Sequence, residues 1–334
     1  MSSTKVALRQ VSKVYEQRGK GSGMRKAALD GITLDVADGG ICVLMGLSGC
    51  GKSTLLRLLN GLIAPTTGQV LVDGHDLARM RPRELQRLRR DGMAMVFQSF
   101  ALLPHRTVID NAAFGLELAG IDRAERVRRA GAVLEQVGLN AHADCYPHEL
   151  SGGMRQRVGL ARALAVDPSL LLMDEAFSAL DPLTRRGMQD LLLDLQRERR
   201  RTIVFVSHDV EEALHLGDSI ALLHEGRLLQ HAAPRTLLAQ PADPHVHGFF
   251  QGVDRARHLR AADLIDPLST PAPGAPRQAG VAADTALSEL MARLTQSNAP
   301  LAVMDASGGL LGAITAASAL RALTGAGQPR SGHA

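Results

Sequence analysis

The stretch Gly46-Leu47-Ser48-Gly49-Cys50-Gly51-Lys52-Ser53-Thr54 constrains this chain more than any other. It fits the pattern G-x-x-x-x-G-K-[ST], which average residue usage gives by chance in roughly 1% of chains of this length. Just before it, Ile41-Cys42-Val43-Leu44-Met45 is an apolar run of the kind a buried parallel strand makes; just after it, Leu55-Leu56-Arg57-Leu58-Leu59 reads as helix. The glycines let successive backbone N–H groups curl around a phosphate, so Gly46, Ser48, Gly49, Cys50, Gly51 and Thr54 are candidate contacts of the cradle. Lys52 adds charge for the β- and γ-phosphates, and Ser53 offers a hydroxyl to Mg²⁺ at a helix N-terminus. The stretch predicts a nucleoside triphosphate site.

The whole chain sets outer limits. Its 334 residues, 45% of them hydrophobic, can bury one large domain and a smaller one. No run of about 18 apolar residues occurs, and Met1-Ser2-Ser3-Thr4-Lys5 lacks the apolar segment of a signal peptide, so a soluble, non-secreted chain is expected. The three cysteines, Cys42, Cys50 and Cys145, have no metal spacing and an odd count, which suits a reducing compartment. A net charge of +4 raises the question of nucleic acid. The arginine clusters at 79–90, 123–129 and 197–201 are interspersed with acids or apolar residues at helical spacing, as solvated helix faces are. Aromatics make up 3% of the chain and none interleave with the basic runs, so no nucleic-acid partner is expected.

Taken in order, residues 6–14 alternate loosely as a strand and end at Tyr15, which either packs or stacks on the base of the nucleotide. Residues 17–26 read as a flexible loop and 29–36 as a returning strand. Met93-Ala94-Met95-Val96-Phe97 is a buried-strand run ending on Gln98, whose amide can reach a metal or its water. From 99 to about 165 the pattern is that of an inserted helical subdomain, in which Phe100, Leu102, Leu103 and Phe114 are either core or a groove for a partner helix. Leu150-Ser151-Gly152-Gly153-Met154-Arg155-Gln156-Arg157 opens a helix. Ser151 suits an N-cap, but Gly152 and Gly153 weaken a first turn unless something must approach it closely, so the start reads as a second anion site.

Leu170-Leu171-Leu172-Met173-Asp174-Glu175 puts two carboxylates at the end of an apolar strand. Asp174 suits Mg²⁺, and Glu175 suits a base for the attacking water. Ser178-Ala179-Leu180-Asp181 follows, with a long helix starting at Pro182. The strand 202–206 ends at Ser207-His208-Asp209, where His208 is either structural or holds the γ-phosphate and water in line.

These motifs, in this order over residues 6–238, resemble the nucleotide-binding subunit of ABC transporters. The resemblance implies a P-loop NTPase fold of α/β class, with a mostly parallel core sheet, an N-terminal antiparallel portion and the inserted helical subdomain. It also implies ATP and Mg²⁺, with Ser53, Gln98 and Asp174 toward the metal and Glu175, His208 and Gln98 in catalysis. Ser151, Gly152, Gly153 and Asp181 would meet ATP across a head-to-tail homodimer. Val96-Phe97-Gln98-Ser99-Phe100-Ala101-Leu102-Leu103-Pro104-His105 and Phe249-Phe250-Gln251-Gly252-Val253-Asp254 are similar to the ATPases of glycine betaine, proline and choline importers. Such proteins work with an integral membrane permease and a substrate-binding protein, at the cytoplasmic face of the inner membrane. Soluble ABC ATPases of repair and translation form another class, but they carry two cassettes or a long coiled-coil insertion, and neither is found in this chain.

The expected division is an ATPase domain over 1–252, a linker over 253–280, one repeat over 281–325 and a disordered end over 326–334. Residues 281–323 run helix, strand, Gly turn, strand, helix and resemble a single cystathionine β-synthase (CBS) repeat of small α+β class. Ser318 stands where the nucleotide-binding version of that repeat often has an aspartate, so the tail is expected to bind no adenine nucleotide.

Overall fold

A computed structural model describes residues 3–16, 25–99, 101–265, 280–296 and 300–324, and the chain divides into two units, Met1–His231 and Ala232–Ala334. In the first unit, apolar alternation produces two long antiparallel strands, β1 (Thr4–Glu16) and β2 (Arg25–Ala37), with Val6 opposite Val36 and Leu8 opposite Leu34. The loop expected over 17–26 loses its last two residues, because Arg25 and Lys26 pair with Glu16 and Tyr15; residues 17–24 lie outside the described residues. The apolar run before the phosphate loop is β3 (Ile41–Met45), buried at all five positions, and the loop feeds α1 (Lys52–Leu59). β4 (Thr67–Val72) and β5 (His75–Asp76) return to the first sheet, giving the order β2-β1-β4-β5, and the arginine-rich α2 (Pro82–Asp91) follows with no buried residue.

β6 (Met93–Val96) begins the far edge of the second sheet. After it, α3 (Val108–Leu118), α4 (Arg123–Gln136) and α5 (Gly152–Ala165) pack on one another as the helical subdomain expected over 99–165. Thr107, Asp122 and Ser151 start these helices, each side chain accepting a backbone N–H three residues on. Asn111 is fully buried and holds the entering loop, accepting from Leu103 N and donating to the carbonyls of Leu103, Arg106 and Thr107. Four hydrogen bonds offset the desolvation of its amide.

The unit closes with β7 (Leu170–Asp174), α6 (Pro182–Glu198), β8 (Thr202–Ser207), α7 (Val210–Leu216), β9 (Ser219–His224) and β10 (Arg227–Ala232). The second sheet runs β10-β9-β3-β8-β7-β6, and the pairs from β9 through β6 are all parallel. Helices cover both faces of such a sheet, which is why its strands are continuous apolar runs. Leu170, Leu171, Leu172 and Met173 have no exposed surface, and each contributes roughly 1.5–3 kcal/mol by burial. Register decides what happens at the C-terminal edge. Met45 lies opposite Ser207, Asp174 opposite Val206, and Val96 opposite Met173. Gly46, His208, Glu175 and the segment leading to Gln98 therefore leave the sheet side by side, where ligands bind in parallel α/β sheets.

The second unit holds α8 (Pro234–Ala239), α9 (Pro244–Phe249), α10 (Arg255–His258), β11 (Val281–Ala282), α11 (Leu287–Gln296), β12 (Leu301–Met304), β13 (Leu310–Ile314) and α12 (Ala316–Thr324). Its sheet runs β11-β12-β13, parallel then antiparallel. Part of the expected linker is structure. Ala261 and Ala262 donate backbone N–H bonds to Thr285 and Ala283, Leu287 donates to Leu259, and Leu259 and Ala261 are fully buried. Those apolar residues, rather than the Pro and Gly content around them, decide the fold of this segment; 266–279 lies outside the described residues. Arg255 is also buried and donates to the carbonyls of Leu238 and Ala322, binding α8 and α12 to α10. Residues 232–252 accordingly belong to this second unit, where the sequence division had assigned them to the ATPase domain. Ser318 is buried, and its hydroxyl donates to Thr315 O while Thr315 Oγ1 accepts from Ser318 N, so the pair closes the turn into α12.

Candidate active site

The phosphate loop owes its shape to three glycines with positive φ: Gly46 (149°), Gly49 (79°) and Gly51 (107°). A Cβ on Gly46 would stand 2.3 Å from Leu223 O, and one on Gly51 would stand 2.5 Å from Ala28 O, so neither position admits a side chain. Gly51 is also the N-cap of α1 and supplies no side-chain acceptor, while the first turn contains no acid. The helix's leading N–H groups are thus left for an anion. Lys52 Nζ donates to Gly46 O at 2.6 Å and Leu47 O at 3.0 Å, which holds the ammonium across the mouth of the loop. Leu47, Ser48 and Gly49 are exposed there. The Cys50 thiol is buried with the core, where a Cβ on Gly46 would lie 2.6 Å from its sulfur. The sulfur also lies 3.9 Å from Lys52 Nζ, beneath the ammonium that the cradle presents.

At the end of β7 the acids are held differently. Ser53 Oγ donates to Asp174 Oδ1 at 3.5 Å, uniting the loop hydroxyl with the first carboxylate. Burial, and then the neighbouring charge of Glu175, raises the Asp174 carboxyl above its ordinary range. A divalent cation would relieve both effects, and a hydroxyl beside one carboxylate is the hard-oxygen set that Mg²⁺ uses alongside phosphate oxygens. Glu175 has φ 44°, a left-handed conformation that costs a residue with a Cβ of order 1–3 kcal/mol. Its N–H continues the β7–β8 ladder to Val206 O at 3.2 Å, and its carbonyl accepts the Ser178 hydroxyl at 2.9 Å, so the strain is held from both sides. The carboxylate then meets His208, with Nδ1 to Oε2 at 3.4 Å. His208 is exposed at the end of β8.

Gln98 donates its Nε2 to Ser178 Oγ at 3.2 Å. That bond uses the amide nitrogen and leaves Oε1, the acceptor atom a metal or its water needs, uncommitted to Ser178. Ser178 thus links Gln98 to the backbone of Glu175, a bridging role that the motif Ser178-Ala179-Leu180-Asp181 did not announce. Serine in a turn usually bonds its own chain, and Ser178 does that as well as reaching across.

The other candidate residues form a second group. Ser151 Oγ accepts from Met154 N at 3.3 Å as an ordinary N-cap. A Cβ on Gly153 would lie 2.6 Å from Thr184 Cγ2, so this glycine has a packing reason within the chain, whereas Gly152 faces open space. Asp181 caps α6, accepting from Thr184 N at 3.1 Å. Among the described residues no hydrogen bond joins Ser151, Gly152, Gly153 or Asp181 to the phosphate loop. Tyr15 is 41% exposed, with Lys13 Nζ 5.4 Å from its ring centre. The register that puts Val14 opposite Ala27 brings this end of β1 toward the stretch of β2 that touches Gly51. In the helical subdomain, Leu102, Leu103 and Phe114 are half-buried, Phe114 lies under Arg106 at 5.0 Å, and Phe100 lies outside the described residues. A groove of about 440 Å³, lined by Met95, Phe114, Leu118 and Val166, opens beside them. A larger cavity of about 800 Å³, lined by His75, Met80 and Leu88 among others, includes none of the candidate residues.

Comparison with known proteins gives the family of the chain. The family model described as ABC transporter matches residues 29–178. Over 251 residues, 75% of this chain, the sequence is 55% identical to the glycine betaine/proline betaine transport system ATP-binding protein ProV of Escherichia coli K12. That match takes in 62% of the relative, so the chain spans less than two thirds of its length. It is 49% identical to the trimethylamine N-oxide transport system ATP-binding protein TmoW of Ruegeria pomeroyi, over 71% of this chain and 70% of the relative. Among solved structures, a dimeric ATP-binding cassette in a post-hydrolysis state bound to ADP and Pi superposes with a TM-score of 0.62 at 34% identity, covering 69% of this chain and 98% of that one.

Proposed function

Because the chain belongs to the ABC transporter family of ATP-binding subunits, we propose that it hydrolyses MgATP to energise uptake of a quaternary amine osmolyte: choline, glycine betaine or proline betaine. The solute would pass through a separate integral membrane permease supplied by a substrate-binding protein, with this subunit peripheral on the cytoplasmic face of the inner membrane. The observation that carries the ATPase half is the meeting of Lys52, Ser53, Asp174, Glu175 and His208 at one sheet edge. Lys52 and the loop amides hold the β- and γ-phosphates. Ser53, Asp174 and Gln98 would hold Mg²⁺, which would supply neutralisation of the charge developing on the phosphates. Glu175 accepts the proton of the attacking water, and His208 donates to a γ-phosphate oxygen and keeps that water in line. Tyr15 stacks on the adenine.

The second group of residues serves a homodimer. Ser151, Gly152, Gly153 and Asp181 of one subunit close over the ATP held by the loop of the other, and Gly152, open in this chain, is the residue with room for that approach. The structurally similar cassette crystallised as a dimer, which supports this assembly. The groove beside Phe114 and Leu118, rimmed by Arg89, Arg90 and Arg162, would receive a helix of the permease. The tail is proposed to modulate the transporter without binding adenine nucleotide, since Ser318 is committed to the turn before α12.

The solute class rests on the relatives, whose names specify glycine betaine, proline betaine, carnitine and trimethylamine N-oxide. A methionine import subunit of Geobacillus kaustophilus is 44% identical, so the motor itself is shared among importers. The test is uptake of labelled glycine betaine by cells lacking their own carriers and expressing this chain with a permease and binding protein of its source. Uptake that requires the chain and is lost with Glu175→Gln supports the proposal. Uptake that ignores the chain, or transport of methionine in its place, contradicts it.

A further inference from the structure

His208 occupies a turn that is pinned on both sides by groups that carry no role in the site as described so far. On one side, Ser207 Oγ accepts the N–H of Asp209 at 3.0 Å and donates to Glu212 Oε2, while Gln189 Nε2 donates to Glu212 Oε1 at 3.0 Å. Ser207, Gln189 and Glu212 are all buried, so this side is a fixed polar floor at the end of β8. On the other side, Asp209 Oδ1 caps α7 through Glu212 N, and Asp209 Oδ2 meets Arg185 Nη1 at 3.3 Å. Arg185 lies one turn past Asp181 on α6, with Gln189 one turn further along the same helix face.

The guanidinium does more than pair with Asp209. Its Nη2 donates to Ser178 O at 3.3 Å and Leu180 O at 3.1 Å. Ser178 is the residue that accepts Gln98 and bonds the Glu175 carbonyl. A planar fork with donors on two nitrogens spans two loops at once, which a lysine ammonium on its flexible stem does not reproduce. Arg185 therefore ties the loop carrying His208 to the loop that leaves Glu175.

We propose that Arg185 is a positioning residue, which sets the His208–Glu175 geometry by clamping Asp209 to the carbonyls of Ser178 and Leu180. Its bonds run to Asp209 and to the carbonyls of Ser178 and Leu180, so it acts through the two side chains that those loops carry. The inference rests on the MgATP reading above. Its consequence is a loss in turnover without a loss in nucleotide binding, because the phosphate loop shares none of these bonds.

The experiment is a double-mutant cycle on the full chain. Arg185→Ala removes the clamp, and Asp209→Asn removes the ion pair while keeping an amide oxygen for the α7 cap. Each single variant should lower kcat by roughly tenfold to a hundredfold, the effect of a misplacement near 1 Å, with KM for MgATP within about threefold of wild type. The double variant should be no slower than the slower single variant, since both changes break one interaction. Guanidinium ion at millimolar concentration should restore part of the Arg185→Ala rate, and Arg185→Lys should remain slow. Multiplicative losses, a raised KM at unchanged kcat, or full activity in Arg185→Lys overturn the inference. If Arg185→Ala fails to fold, Asp209→Asn and Arg185→Lys carry the same comparison. A wild-type chain that binds but never hydrolyses MgATP overturns the ATPase reading, and the inference falls with it; an active wild type with insensitive variants overturns the inference alone.

Discussion

Asp174 illustrates how single residues here trade stability for chemistry. Burial and the charge of Glu175 raise its pKa, so the folded protein holds that proton more tightly than the unfolded chain does. The stabilising contribution is then greatest below the ordinary carboxylate range, and it is lost as pH rises through the interval up to the raised value. At neutral pH the ionised carboxylate is a net cost, and we predict that Asp174→Asn raises the melting temperature while abolishing Mg²⁺-dependent hydrolysis. An unchanged or lower melting temperature, measured by scanning calorimetry without nucleotide, would contradict this account. Cys50 gives a second case. Its place in the phosphate loop suggests a thiol beside the nucleotide, yet the sulfur is buried, and Cys42 is wholly buried with its thiol pushed up to about 11. Brief labelling with a thiol reagent should modify the half-buried Cys145 first and spare Cys50 with or without MgATP; rapid, MgATP-protected modification of Cys50 would reverse the assignment. The candidate residues could be chosen from the sequence because phosphate, Mg²⁺ and a base each demand particular groups at strand ends, and the fold brings Ser53, Asp174, Glu175 and His208 to one edge. The direction of a side chain could not be, since the inward turn of Cys50 depends on Gly46 leaving room beneath the loop.

Individual elements behave in the same way. Strands β3, β7 and β8 were evident because a parallel sheet covered on both faces makes unbroken apolar runs, and such runs end where polar chemistry begins. The start of α5 was only half legible. Two glycines in a first turn signalled a close approach, but not to what, and the structure separates them: Gly153 is filled by Thr184 of α6, and Gly152 faces open space. We predict that Gly153→Ala destabilises the chain by about 1–3 kcal/mol, as overpacking does, and that adding Thr184→Ser recovers much of it by removing the clashing methyl. Gly152→Ala should be neutral or stabilising by at most about 1 kcal/mol and should still slow hydrolysis if, as proposed, its open space receives the other subunit's ATP. Denaturant melts combined with an ATPase assay separate the two, and equal effects of both substitutions would remove the distinction. Arg185 was invisible in the sequence for a related reason. An arginine inside an alternating charged helix reads as a solvated face until the fold brings Asp209 and two carbonyls to it.

At the scale of the whole molecule, two helices and two strands of the tail were legible, while β11 at 281–282 and the start of the unit were not. Composition marked 253–280 as linker, but Arg255 binds α8 and α12, and Leu259 and Ala261 are buried in the same unit. We predict that residues 232–334 unfold as one cooperative body and that 280–334 alone does not fold, tested by amide hydrogen exchange. Slow exchange in the isolated 280–334 piece would show that α8 and α10 are dispensable. A chain cut after Val253 should lose solubility, because Leu237 and Leu238 of α8, both fully buried, lose the later residues packed on that helix. The central claim is larger: one subunit supplies Lys52, Ser53, Asp174 and Glu175, and the other supplies Ser151 to each ATP. Intersubunit complementation tests it most directly. Glu175→Gln lacks the base but keeps an intact α5 start, and its own hydrolysis should fall by roughly 10²–10⁴. Ser151→Arg keeps the base but blocks its partner's site, and it should also be inactive alone. An equal mixture forms mixed dimers in which one of the two sites is complete, so MgATP hydrolysis should return to as much as about a quarter of the wild-type rate. A mixture as inactive as its two components would mean that each ATP is hydrolysed within a single chain, and the account would be wrong.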